Sequence, residues 1–206
     1  MSRYILPFIL LSFSLMATAQ TRMRDVFAHV PDTIFPLLTL NNRLDCIDFI
    51  ENNMEARVKN KLDEHVVLEN MTDNYLRIEL SANSIVEMKL FSQQKDTFIC
   101  VNRIYRGPAE DSEVRVYDFA WNMLYAIARP KVEDFLNKAP NSELNADTMS
   151  MLRQEAEYLP LIKATLSPED ETLTWTLQCG EFTKDIKKVA DKYLQPVVVF
   201  LVDKKE

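Results

Sequence analysis

Hydrophobic positions along the chain alternate between a helical period and a period of two. Met23 to Val30 reads as a short helix closed by Pro31, followed by a linking turn over 31–36. From Leu40 the apolar residues Leu40, Leu44, Ile47, Ile50 and Met54 step by 4, 3, 3 and 4. That spacing draws one face of an amphipathic helix. Asn42 is its expected N-cap, and Asp45 is the capping-box partner three residues on.

The period then falls to two. Val66-Leu68, Leu76-Ile78-Leu80, Val86-Met88-Leu90 and residues 98–105 alternate in short runs. Turns are expected at Thr72-Asp73-Asn74, Ser81-Ala82-Asn83 and Gln93-Gln94-Lys95-Asp96. Strands so closely spaced pair antiparallel, because parallel neighbours need a crossover of about a dozen residues. Gly107-Pro108 interrupts the series, and Val114-Val116 predicts a fifth strand ahead of an aromatic cluster, Tyr117, Phe119, Trp121 and Tyr125. Beyond Pro130 the pattern predicts helices over 132–136 and 145–158, the second stopped by Pro160, then strands over 161–166 and 172–177. Ile186, Val189, Ala190 and Tyr193 mark a further helix, and residues 197–202 a closing buried strand.

Helices followed by strands, twice over, predict an α+β protein with helices packed on antiparallel β-meander sheets. Leu80-Ser81 and Leu166-Ser167 each end a strand at a turn, a weak sign of duplication. The order fits two tandem helix-plus-sheet modules, 20–140 and 141–206, or a single domain joining both.

The first residues carry a different signal. Arg3, an apolar run from 4 to 16 and Ala17-Thr18-Ala19 before Gln20 are the parts of a secretory leader, 1–19, cleaved after Ala19. The run is shorter than the roughly 20 residues of a membrane span, and Pro7 interrupts it. A periplasmic or secreted product is therefore expected, with no membrane insertion after cleavage.

Composition narrows the function classes. Lys plus Arg total 24 against 31 Asp plus Glu, a formal net charge of −7. Such a chain gains nothing from counterion release, so nucleic acid is not an expected partner. Gly107 and Gly180 are the only glycines, too few for a phosphate-cradling loop, and no cofactor is expected. Turns must instead use Asn, Asp, Ser and Pro. Cys46, Cys100 and Cys179 allow three single disulfide pairings, or none with all three buried as small hydrophobes. Cys179 extends the alternation Leu173-Trp175-Leu177 and so is expected to face a core. Spacings of 54 and 79 residues are unrelated to zinc-ligand pairs.

No motif carries chemistry, so no catalytic, cofactor or metal residue is assigned. His29 and His65 are the sole histidines, with no pattern linking either to a nucleophile. Asn41, Asp45, Asp48, Asn52 and Glu55 step by 4, 3, 4 and 3 along one helix edge. A solvated face is the ordinary account of that row; calcium normally takes on the order of six oxygens from a looped backbone. Aromatic residues are enriched in both cores and binding hot spots. The candidate interaction surface is accordingly Tyr117, Phe119, Trp121 and Tyr125, with Asp45 and Asp48.

Several segments resemble a family of exported Bacteroidales proteins of unknown function. They are Pro36-Leu37-Leu38-Thr39, Asn41-Asn42-Arg43-Leu44-Asp45, Ile47-Asp48-Phe49, Asn53-Met54, Thr72-Asp73, Tyr75-Leu76, Met88-Lys89-Leu90, Gly107-Pro108-Ala109 and Asp111-Ser112. The resemblance implies no activity. It does imply O-glycosylation at Asp-Thr or Asp-Ser followed by a small or aliphatic residue, and Asp32-Thr33-Ile34 and Asp147-Thr148-Met149 nominate Thr33 and Thr148. The expected function is a non-enzymatic envelope protein that binds a protein or envelope component. The alternative is a carboxylate-based hydrolase acting on glycan or peptidoglycan.

Overall fold

The computed structural model describes residues 22–93, 96–136, 146–158, 160–178 and 194–202. The protein is α+β. A seven-stranded antiparallel meander forms its centre, in the order β1 (Ala56–Lys59), β2 (His65–Met71), β3 (Tyr75–Ser81), β4 (Ser84–Gln93), β5 (Asp96–Tyr105), β6 (Asp111–Tyr117) and β7 (Met123–Ala126). A three-stranded antiparallel sheet holds β8 (Leu161–Leu166), β9 (Thr172–Gln178) and β10 (Val197–Phe200), with β9 in the middle. Four helices are described: α1 (Met23–Ala28), α2 (Leu40–Glu51), α3 (Val132–Leu136) and α4 (Ala146–Tyr158).

The meander is covered on both faces. On one side Leu76, Ile78, Val86, Met88, Leu90, Ile99 and Val101 pack against Phe27, Phe35, Leu38, Cys46 and Ile47. On the other, Phe91, Cys100, Val114 and Val116 share a core with Phe135, Leu152, Leu166 and Trp175. Residues from Ile85 to Phe91 are all buried as a result, so β4 shows no polar outward face. That second core joins residues from either side of position 140.

Most predicted elements are present, and several details are corrected. Thr39, not Asn42, caps α2: its hydroxyl accepts from the Asn42 N–H at 3.2 Å, while Asn42 Oδ1 accepts from the Thr39 N–H at 3.1 Å. Asn42, rather than Asp45, therefore supplies the reciprocal half of the capping box. The buried face of α2 is centred on Arg43, Cys46 and Ile47, whereas Leu40 and Leu44 point outward. Arg43 explains the rotation: its guanidinium donates to the Ala28 and Leu38 carbonyls at 3.2 and 2.7 Å, satisfying backbone acceptors that would otherwise be buried unpaired. Finally, β10 is a half-exposed edge strand instead of a buried one, and β1 and β7 add strands at both edges of the meander.

Left-handed positions fall on Asn53, Asp63 and Trp121, as expected for a chain so short of glycine. At the end of α2 the Met54 N–H bonds the Phe49 carbonyl and the Asn53 N–H that of Ile50, a Schellman closure with asparagine in the glycine position. The predicted helix near residues 186–193 and the leader lie outside the described residues.

Candidate functional site

β6 ends at Tyr117, whose ring is buried, and the chain reverses through Asp118 to Asn122 into β7. Asp118 organises the turn. Its carboxylate accepts from the Asn122 backbone N–H and side-chain amide, both at 2.9 Å, and its carbonyl accepts from the Trp121 N–H at 3.0 Å. The side-chain bond from Asn122, then the backbone bond, hold the Asp118 carboxyl below the usual carboxylate range. Trp121 sits at φ 63, a conformation that costs a bulky side chain on the order of 1–3 kcal/mol. Its ring lies 5.8 Å from that of Tyr117.

The strand that follows is exposed at every position. Phe119 in the turn is 42% exposed, and Met123, Leu124 and Tyr125 on β7, the edge strand of the meander, are 54%, 44% and 47% exposed. β7 is short, and its pairing with β6 shifts register between Val116 and Tyr117. Both features blunt an edge against strand addition. Contact at this corner therefore falls to side chains rather than to the strand's backbone. The opposite edge, β1, carries Arg57 and Lys59 outward, paired with Glu55 and Asp63 at 2.7 Å.

The other candidates lie elsewhere. Asp45 and Asp48 are exposed on α2, which packs over β1 and β2, while β7 closes the far edge. Thr33 is exposed in the turn before α2; Thr148 lies on α4, and its side chain is outside the described residues. His29 Nδ1 lies 2.8 Å from the Asp25 carbonyl of its own helix, and His65 is exposed at the start of β2. Cys46 and Cys100 are free thiols buried in different cores, and Cys179 is outside the described residues. Among the described residues, no three His, Cys, Asp or Glu side chains form a group able to hold a metal ion.

A buried polar cluster, not anticipated from the sequence, joins the two sheets. Glu87, 1% exposed, accepts from Arg77 at 2.5 Å and Tyr75 at 3.3 Å through Oε1. Its Oε2 accepts from Asn102 at 3.0 Å and the Leu166 N–H at 2.9 Å. Along β8 the Ile162, Ala164 and Leu166 N–H groups donate to Asp111, Ser112 and Glu87 in turn. The Ala164 carbonyl accepts from Asn102, and the Pro168 carbonyl from Lys89 at 3.0 Å. β8 thus crosses β6, β5 and β4, and side chains of the meander satisfy the edge that β9 leaves open. Val86, Met88 and Leu90 obscured this in the sequence. Their alternation places Glu87 and Lys89 on the opposite face, which reads as solvent-facing until a second layer covers it.

Lys89 forms the wall of an open pocket of about 460 Å³ with Asn74, Glu169, Asp170, Glu171, Phe200 and Val202. Burial holds its amine below the ordinary lysine value, against the pull of Asp170, Glu171 and Glu169. A smaller pocket of about 190 Å³ lies between the 35–38 turn and the ends of β2 to β4, with Asn60 and Arg103 among its walls. Arg103 donates to the Ile34 carbonyl, and Asn60 accepts from the Leu62 and Glu64 N–H groups.

A solved domain of an uncharacterised protein from Porphyromonas gingivalis W83 shares this fold. The two superpose with a TM-score of 0.69 at 21% identity, over 85% of this chain and 93% of that one. None of the curated proteins matches the chain. The match to the family described as "protein of unknown function (DUF3256)" spans residues 14–206, and the chain belongs to that family.

Proposed function

We propose that this protein is a non-enzymatic, exported envelope protein that docks a protein or envelope component on the corner formed by the β6–β7 turn and β7. The observation that supports this most is the exposure of Phe119 in the turn and of Met123, Leu124 and Tyr125 on β7, a strand exposed at all four positions. Scattered apolar residues on a surface are ordinary, whereas a contiguous group marks a contact site. Trp121 adds to the case, since backbone strain at a turn persists where its surroundings over-determine it and often accompanies function.

Among the described residues, the carboxylates offer less support for a carboxylate-based hydrolase. Glu87, the buried carboxylate, has both oxygens occupied by donors. Asp170, beside the larger pocket, is held below the usual range by the Thr172 and Ser167 hydroxyls, opposite to what a proton-donating acid needs.

Immobilised full-length protein and its Phe119→Ser/Leu124→Ser variant, each exposed to envelope extract of the native host, test the docking site. Loss of a hot-spot contact weakens binding by roughly tenfold or more. The same bound component should be retained by the parent and depleted to that extent on the variant. Equal retention on both overturns the proposal. Export is tested on the native product: its intact mass should match a chain beginning at Gln20, with added glycan if Thr33 is modified. A chain retaining Met1 overturns the export assignment, and a bare polypeptide mass overturns the modification.

A further inference from the structure

Leu40 and Leu44 are 49% and 45% exposed on α2, although their helical spacing is that of a core stripe. The rotation that buries Arg43 leaves them outside. Residues four apart on a helix are neighbours, so the two leucines form one ridge. Asp48 follows Leu44 by one further turn, and Asp45 and Asn41 flank the ridge, all exposed. Asp48 accepts at 3.2 Å from Asn52, and Glu51 pairs with Arg24 at 3.3 Å, leaving Asp45 and Asp48 with no cation within salt-bridge distance among the described residues.

We infer that the outward face of α2 is a second docking surface, and that it takes a cationic amphipathic helix of a partner protein. Three considerations select that occupant. An α-helix satisfies its backbone internally, so nothing can add to it as a strand and contact must run through side chains. Ridges of side chains fit the grooves of another helix. The apolar ridge is bordered by carboxylates on a chain of net charge −7, which favours a partner bearing Lys or Arg beside its apolar stripe. This surface is independent of the β7 corner, since α2 packs over β1 and β2 at the opposite edge of the meander.

The probe is a labelled helical peptide of leucine and lysine, with its leucines at helical spacing, titrated with the full chain and followed by fluorescence anisotropy. Binding should weaken about tenfold in Leu40→Gln/Leu44→Gln and again in Asp45→Asn/Asp48→Asn, while Phe119→Ser leaves it unchanged. All these positions are exposed, and unchanged thermal unfolding confirms that each variant is folded. The inference is overturned by absence of binding to the parent chain, or by equal binding to the leucine variant. Equally tight binding of a lysine-only peptide also overturns it, since charge alone would then suffice. Loss of binding in Phe119→Ser moves the site to the β7 corner and overturns it too.

Discussion

At the scale of single residues, the fold depends on polar side chains placed where the hydrophobic pattern hides them. Arg43 occupies the inward side of α2 beside Cys46 and Ile47, and Glu87 occupies the inward side of β4 between Val86 and Met88. Neither position is legible from periodicity, because each depends on what lies on the far side of its element. Glu87 has four donors converging on it, so removing its charge leaves Arg77 with Glu69 alone as an anionic partner and leaves the buried donors facing a neutral amide. Breaking a buried pair from one side costs roughly 3 kcal/mol. Glu87→Gln should therefore lower the unfolding free energy by about 3 kcal/mol in urea titration, because one amide N–H₂ would then face other donors. A change below about 0.5 kcal/mol would mean that the cluster contributes nothing net.

At the scale of elements, β2 to β6 are legible in the sequence because each is long enough to show alternation and is bounded by Asn, Asp or Ser turns. β1 and β7 are missed for a physical reason: strands of four residues show two inward positions at most, too few to establish a period. β10 reads as buried because Val197 to Phe200 is uniformly apolar, although it pairs on one side only. The start of α2 is misplaced by three residues, since Asn42 and Thr39 are both good caps and the choice rests on which bond closes. Thr39→Ala removes the hydroxyl acceptor of the capping box and should cost about 1 kcal/mol. Unfolding by circular dichroism reads this out; an unaltered midpoint would place the start of α2 elsewhere.

At the scale of the whole molecule, both faces of one meander are buried, and three groups titrate differently as a consequence. Burial, reinforced by the charge of Asp45, pushes the Cys46 thiol up to about 12 from 9.0. Burial likewise raises Cys100 and, together with Glu87, raises the Tyr75 hydroxyl. Below pH 9.0 these groups are protonated in both folded and unfolded chains, so their contribution to stability is fully present there. As pH rises from 9.0 towards about 12 the unfolded chain releases protons that the folded chain keeps, and stability falls. Unfolding free energy measured across that window should decline steadily, and the decline should be shallower in Cys46→Ala. A flat profile would show that the thiols are not held in the cores.

Among the described residues, the same two-sided burial leaves the β6–β7 corner and the outer face of α2 as exposed surfaces carrying apolar side chains, at opposite edges of the sheet. The aromatic cluster is visible in the sequence, yet its division is not: Tyr117 belongs to the core, Trp121 is intermediate, and Phe119 and Tyr125 face outward. The most direct test of the docking account is site-specific photo-crosslinking in the native host, with a photoreactive residue at position 119 or 124. Position 158, where Tyr158 is 89% exposed on α4, serves as the control. One discrete adduct of the same mass is predicted from both 119 and 124 and none from 158. No adduct at either position, or an equal yield of that adduct from 158, would contradict it.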